Sequence, residues 1–284
     1  MLSYRHAYHA GNPADVLKHL TLVQIAQYLA SKDKPFWIID THAGAGSYKL
    51  DSPLATKLGE HHHGIARLWD TPLPLPPAVA DYLAHIKRLN PDGKLRHYPG
   101  SPWLAAQNLR PEDRLRLFEL HSTDARFLEK LFKDKGRQIQ VKHEDGLEGL
   151  KAVLPPPPRR ALVLIDPSFE VKTDYTAIPE ALGDALKRFA QGVYMVWYPL
   201  LAKPDARRFP DRLKKVAGQT EWLHAVLQTH RAPDNGIGMY GSGLFIINPP
   251  WKLGESLEET LPWLADQLGT DASAAGLIEH SPKH

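Results

Sequence analysis

Three short stretches carry side chains whose types and order suit the binding of a nucleoside. Asp40-Thr41-His42-Ala43-Gly44-Ala45-Gly46 follows the apolar run Phe36-Trp37-Ile38-Ile39, so a strand feeds a turn with paired glycines. Such a turn lets backbone amides approach a ligand closely, next to a helix N-terminus. A plain strand-to-helix turn accounts for the Gly44/Gly46 spacing just as well. Glu119 ends the run Leu115-Arg116-Leu117-Phe118, where a carboxylate can accept both hydroxyl protons of a ribose. Glu144-Asp145-Gly146 follows Gln138-Ile139-Gln140-Val141, and an acid in that loop can accept from an adenine amino group. Each carboxylate alone is a capped or solvated side chain. Together, at successive strand ends, they outline a pocket for an adenosine-bearing cofactor.

A fourth strand, Ala161-Leu162-Val163-Leu164-Ile165, runs into Asp166-Pro167-Ser168-Phe169. This end resembles the amino-methyltransferases that use S-adenosyl-L-methionine (SAM), whose fourth strand ends in Asp/Asn-Pro-Pro-Tyr/Phe. An exocyclic amine on a nucleobase is a poor nucleophile because its lone pair is delocalised into the ring. The Asp166 carboxylate and the Pro167 carbonyl can hold its two N–H bonds and aim the lone pair at a methyl group, mainly an orientation effect. Phe169 offers a face on which a flipped base can stack, worth roughly 1–3 kcal/mol. Asn248-Pro249-Pro250-Trp251 matches the consensus better letter for letter. It follows the last strand, which in SAM-dependent methyltransferases runs antiparallel, so its end points away from the cofactor. The expectation there is a proline-terminated strand with a packed Trp251. His61-His62-His63 lacks supporting carboxylate spacing and is expected to be a solvated turn, so no metal is expected.

Short apolar runs alternating with helical patterns are what position these residues, and they indicate an α/β chain with a mostly parallel sheet. Further strands are expected at 192–197, 223–227 and 243–247, giving about seven in all. The 161–165 run suits a strand buried on both faces. Asn12, Pro13 and Asp15 signal the start of the first helix, with Asp15 placed to bond back to the cap. Its apolar residues cover so much of its surface that the helix should be well buried. Residues 51–97 break the pattern, with a proline-rich stretch at 71–77 and a helical segment at 78–89, and are expected to form a helical insertion. The core is then 1–50 and 98–284.

The chain has 284 residues, is 43% hydrophobic and 24% charged, and contains no cysteine. That composition is globular, and it excludes disulfides, thiolate zinc sites and Cys-based catalysis. No apolar stretch nears the roughly 20 residues of a membrane-spanning helix. The opening Met1-Leu2-Ser3-Tyr4-Arg5-His6 has no apolar signal-peptide core, so a cytoplasmic chain is expected. A net charge of +3 permits nucleic-acid binding without demanding it.

Several longer blocks carry a closer resemblance. Met1-Leu2-Ser3-Tyr4-Arg5-His6, His9-Ala10-Gly11-Asn12, Ala14-Asp15-Val16-Leu17-Lys18-His19 and Asp40–Gly46 are similar to the bacterial large-subunit rRNA adenine-N6 methyltransferases of the RlmJ family. So are Tyr98-Pro99-Gly100-Ser101-Pro102, Lys172-Thr173-Asp174-Tyr175, Trp197-Tyr198-Pro199 and Ile247–Leu253. The resemblance implies a Rossmann-like SAM-binding core with a small helical subdomain inserted after the first strand. It implies cofactor contacts at His19, His42, Ser101, Glu119, Asp145, Gly146 and Asp166, with Asp166 as catalytic acceptor and Tyr4 and Lys18 toward RNA. The implied partner is 23S rRNA, free or in early assembly, with no membrane and no obligate protein partner. The chain departs from the wider motif at Ser168, where Pro is usual, and Phe169 stands for Tyr. Ser168 loosens the backbone, and Phe169 keeps an aromatic face. The implied activity is SAM-dependent transfer of a methyl group to N6 of an adenine in 23S rRNA. Two alternatives stay open: adenine of DNA or another RNA as substrate, and a catalytically weakened nucleic-acid-binding protein of the same fold.

Overall fold

The computed structural model describes residues 5–72 and 74–282. The first helix, α1 (Pro13–Ala30), starts as its sequence dictates: Asn12 Oδ1 accepts from the Asp15 amide at 2.9 Å, with Pro13 in the first turn. The Asp15 carboxylate reaches one residue past the cap and accepts from the Gly11 amide at 2.9 Å. Thirteen of the helix's eighteen residues are buried, Asp15, Lys18 and His19 among them.

β1 (Trp37–Asp40) passes through the glycine turn into β2 (Ser47–Lys49), which pairs antiparallel with β3 (His97–Pro99). The helices α2 (Pro53–Leu58), α3 (Ile65–Trp69) and α4 (Pro77–Leu89) lie between the two strands in sequence. Of these, α3 and α4 share one apolar core with α1: Ile65, Leu68, Val79, Tyr82 and Ile86 are all inaccessible and cluster with Leu17, Leu20 and Val23. Each such large side chain contributes about 1.5–3 kcal/mol through burial.

The chain continues through α5 (Ser101–Ala106), β4 (Arg114–Phe118), α6 (Ser122–Phe132), β5 (Ile139–Lys142), α7 (Gly146–Val153) and β6 (Ala161–Ile165). It ends with α8 (Asp174–Arg188), β7 (Val193–Leu200), α9 (Pro204–Ala217), β8 (Trp222–Gln228), β9 (Gly241–Ile247), α10 (Leu253–Leu268) and β10 (Ala275–His280). The main sheet has eight strands in the order β10-β8-β9-β7-β6-β1-β4-β5. The five from β5 to β7 run parallel, and β9 inserts antiparallel between β7 and β8. The seven expected strands are all present. β10 is an eighth, paired antiparallel at the edge next to β8.

Register sets the site. Asp40 at the end of β1 lies opposite Leu117 of β4 and Leu164 of β6, while Phe118 lies opposite Lys142 of β5. Glu119, Asp166 and the Asp145 loop therefore leave the sheet at the same carboxyl edge as Gly44. No helix among the described residues is long and apolar enough to cross a membrane.

Candidate active site

A crevice of about 640 Å³ opens at that edge. Its lining includes His19, His42, Gly44, Ser101 and Glu119, together with Asp145, Gly146 and the Asp166–Phe169 end of β6. The turn after β1 differs from the expected strand-to-helix turn: it enters β2, because the helices α2–α4 intervene before α5. Gly44 has φ +63°, and a Cβ there would lie 2.4 Å from the Tyr48 hydroxyl. Only glycine combines that left-handed backbone with so close a neighbour. Gly46 is a correction, since it does not line the crevice. Its carbonyl accepts from the Gly100 amide at 2.9 Å, and its α-carbon faces Leu128 and Leu131. That glycine shapes the turn and joins it to the start of α5.

The carboxylates are held by backbone amides. Glu119 accepts from Gly44 N at 2.7 Å and from His121 N at 2.6 Å, one bond on each oxygen. Burial pushes its carboxyl upward against those two bonds. Each oxygen keeps a second lone pair for a ligand hydroxyl. Asp145 caps α7, accepting from Leu147 N at 2.8 Å and Glu148 N at 3.2 Å through the same oxygen. Gly146 is required by contact, because a Cβ there would sit 2.1 Å from the Thr41 carbonyl oxygen. Ser101 does not point a free hydroxyl into the crevice; it donates to Asp40 Oδ2 at 2.7 Å. Burial raises the Asp40 carboxyl to about 7, with the Ser101 bond pulling the other way. Burial lowers His42 to about 4, so it is neutral at pH 7, and its Nδ1 lies 2.8 Å from Thr41 Oγ1. His19 is likewise lowered by burial, and its Nδ1 meets the Tyr98 hydroxyl at 2.8 Å.

Asp166 sits at the centre of the charged part of the site. Lys18 Nζ lies 2.6 Å from its Oδ2 and 2.8 Å from Asp15 Oδ1. Lys18, expected to face the RNA, is 3% exposed, and its ammonium serves two buried carboxylates. Burial opposes its charge, yet Asp15 and Asp166 hold its pKa above the ordinary value. Burial likewise opposes ionisation of Asp15, but His6, Lys18 and His19 hold its carboxyl well below the usual range. For Asp166 burial wins, and its carboxyl is raised despite Lys18.

Phe169 also departs from expectation. Its φ is +53°, and its ring packs against Tyr175, Phe209 and Trp197 at centroid distances of 4.9, 5.3 and 6.1 Å. At 7% exposure, it gives the crevice an edge of an aromatic cluster, not a free stacking face. Tyr4 lies outside the described residues. Asn248 stands at the opposite end of the sheet, donating to the Ala190 and Gly192 carbonyls at 2.8 and 2.7 Å ahead of β7. Trp251, expected to be packed, is 80% exposed. His61 is buried and His62 and His63 are exposed within a single 3-10 turn, so only part of the expected solvated turn holds.

Sequence reading passed over Asp15, Asp40 and Trp197. Asp15 was legible as a cap, and its neighbours Lys18 and His19 on an otherwise apolar helix were the available sign of a buried charge cluster. Trp197 lines the crevice, with Lys18 Nζ 5.7 Å from its ring centre.

SAM fits this donor and acceptor set. Carboxylates at Glu119, Asp145 and Asp166 suit hydroxyls, amines and a cationic sulfur. Two buried nitrogens of lining residues, His121 Nδ1, 3.8 Å from Asp124 Oδ2, and Trp197 Nε1, have no hydrogen-bond partner among the described residues.

A mostly parallel sheet with this crevice at its carboxyl edge and one inserted antiparallel strand defines a Rossmann-like, SAM-dependent methyltransferase. Residues 33–278 match the family described as ribosomal RNA large subunit methyltransferase D, RlmJ. The chain is 45% identical over 271 residues to ribosomal RNA large subunit methyltransferase J of Escherichia coli (strain K12), covering 94% of each chain. It is 43% identical over 280 residues to the Haemophilus influenzae protein of the same name, covering 98% of each. Among solved structures, protein LPL1258 of Legionella pneumophila superposes with a TM-score of 0.87 at 38% identity, over 97% of this chain and 99% of that one. The chain belongs to the RlmJ family of ribosomal RNA methyltransferases.

Proposed function

We propose that the chain transfers a methyl group from SAM to N6 of one adenine in 23S rRNA, acting in the cytoplasm on free or early-assembly RNA. SAM supplies an electrophilic methyl on a positively charged sulfur. Glu119 and the Asp145 end of α7 bind and orient the nucleoside part of the cofactor. The Asp166 carboxylate and the Pro167 carbonyl accept the two N–H bonds of the adenine amine and hold its lone pair in line. Lys18 fixes Asp166 from the Oδ2 side, leaving Oδ1 toward the amine. The raised pKa of Asp166 suits it to take the proton released when that nitrogen gains a fourth bond. Trp197 and the edge of Phe169 supply the apolar wall against which the base rests.

The observation that carries this reading is the convergence of Gly44, Glu119, Asp145 and Asp166 on one crevice. The ribosomal substrate is supported by family membership. Nucleoside mass spectrometry of 23S rRNA from a deletion strain tests it. One N6-methyladenosine should disappear and return on complementation; an unchanged rRNA profile would move the substrate to DNA or another RNA.

A further inference from the structure

A second cavity, of about 280 Å³, adjoins the crevice. Asn12, Ala14, Glu60 and Met239 line both spaces, so the two are separated by a wall of single side chains. Besides Pro13 at the start of α1, its remaining walls come from elements with no part in the methyl-transfer site: Leu227 of β8 with Thr229 and His230 after it, the start of β9 with Ser242, Leu268 of α10 with Thr270 after it, and His63 of the histidine run.

Ser242 is 1% exposed, and its Oγ has no hydrogen-bond partner among the described residues. That hydroxyl is closed off from the cavity, so Ser242 backs the wall and offers no hydrogen bond to an occupant. Leu227, Leu268 and Met239 supply apolar surface, while His63 and His230 supply flat rings. No Lys or Arg is among the lining residues, and Glu60 is, so a phosphate is disfavoured. The combination of apolar faces and two imidazoles suits a neutral, flat, hydrogen-bonding ring. Single-stranded RNA is read by splaying such bases onto ring faces and pairing their edges.

We propose that this cavity receives the base of a nucleotide next to the target adenosine, and so sets the sequence context that is methylated. The inference rests on the rRNA adenine reading above. The helical segment 51–97, through Glu60 and His63, then takes part in substrate selection.

The test uses the full-length protein and a short RNA around the methylated adenine, made with an abasic nucleotide at one flank or the other. With wild type, removing one of the two flanking bases should raise KM about tenfold, as loss of one stacked base implies, with kcat little changed. Ser242→Val fills the cavity from within. Thr270→Trp plugs its exposed rim without touching the core. Either variant should raise KM on intact RNA and become indifferent to the abasic flank, with SAM affinity unaltered. Should Ser242→Val fail to fold, Thr270→Trp carries the test alone. Wild type that methylates both abasic RNAs as well as the intact one, or Thr270→Trp with the wild-type KM, would overturn the subsite and leave the methyltransferase reading standing. Failure of wild type to methylate the intact RNA at all would instead overturn that reading, and the subsite with it.

Discussion

Lys18 Nζ stands 2.6 Å from Asp166 Oδ2, tying the first helix to the end of the central strand β6. One ammonium serves Asp15 and Asp166 together, so the carboxylate proposed as acceptor is positioned by α1, a helix remote in sequence. Breaking a buried pair by removing one partner typically costs about 3–5 kcal/mol, because the other charge is left uncompensated.

Lys18→Met should therefore change the pH dependence of turnover. The Asp166 carboxyl is already raised by burial and restrained by Lys18. Without Lys18 it rises further, so the ionised acceptor is lost at a higher pH. The acid limb of a kcat/KM profile should move toward neutrality. The variant should also be less stable, and more so at pH 8 than at pH 5, where protonation relieves the buried charge. An unmoved acid limb would contradict this account.

Asp40 gives a second pH signature, in stability. Its folded pKa of about 7 exceeds that of an unfolded aspartate. A raised acid favours folding most at low pH; that advantage falls as pH rises from about 4 to 7 and is fully lost above. Asp40→Asn keeps a carbonyl acceptor for Ser101 and removes the titration. Relative to wild type, the variant should gain stability across that window, by on the order of 1–4 kcal/mol. Urea denaturation at pH 5 and pH 8 reads the difference directly.

Gly146→Ala tests the close approach of α7 to β1. The added methyl would meet the Thr41 carbonyl oxygen at 2.1 Å, and backbone cannot yield as a side chain can. Overpacking of this kind costs about 1–3 kcal/mol, so the melting temperature should fall by several degrees. SAM affinity should fall as well, since Asp145 moves with the helix start. Calorimetric titration alongside thermal melting separates the two effects.

Asn248→Ala should leave SAM affinity and turnover unchanged. Its amide bonds to Ala190 and Gly192 hold a loop at the far end of the sheet. Losing them should cost about 0.5–1.5 kcal/mol of stability, the net worth of an ordinary hydrogen bond, because water can reach the exposed Ala190 carbonyl. A drop in turnover with intact folding would relocate catalysis to the Asn-Pro-Pro-Trp motif.

The parallel strands were legible because β-branched and apolar runs end in the acids that a carboxyl-edge site needs. The antiparallel last strand expected of SAM-dependent methyltransferases, here β9, separates the two rival Pro motifs. β10 was missed because Ala275–His280 is a half-exposed edge strand with little apolar pattern. The helix expected after the glycine turn is displaced by the α2–α4 segment, which composition marks as different without saying where the chain re-enters. Burial is what sequence could not give: Phe169 and Lys18 have the right chemistry for substrate contacts, yet packing turns one into an aromatic cluster and the other into a paired ion. The partners of Ser101 and Asp40 are set by tertiary contact between residues 61 apart and leave no local pattern.

In the proposed mechanism Asp166 holds an adenine amine beside a methyl donor bound at the carboxyl edge of the sheet. The most direct measurement incubates purified protein with methyl-labelled SAM and 23S rRNA, then identifies the labelled nucleoside, for wild type and Asp166→Ala in parallel with SAM titrations. Wild type should yield N6-methyladenosine and the variant none, with SAM affinities within about tenfold of each other, the size of one lost polar contact. Label in any other nucleoside, or undiminished N6-methyladenosine from a folded Asp166→Ala protein, would contradict that mechanism.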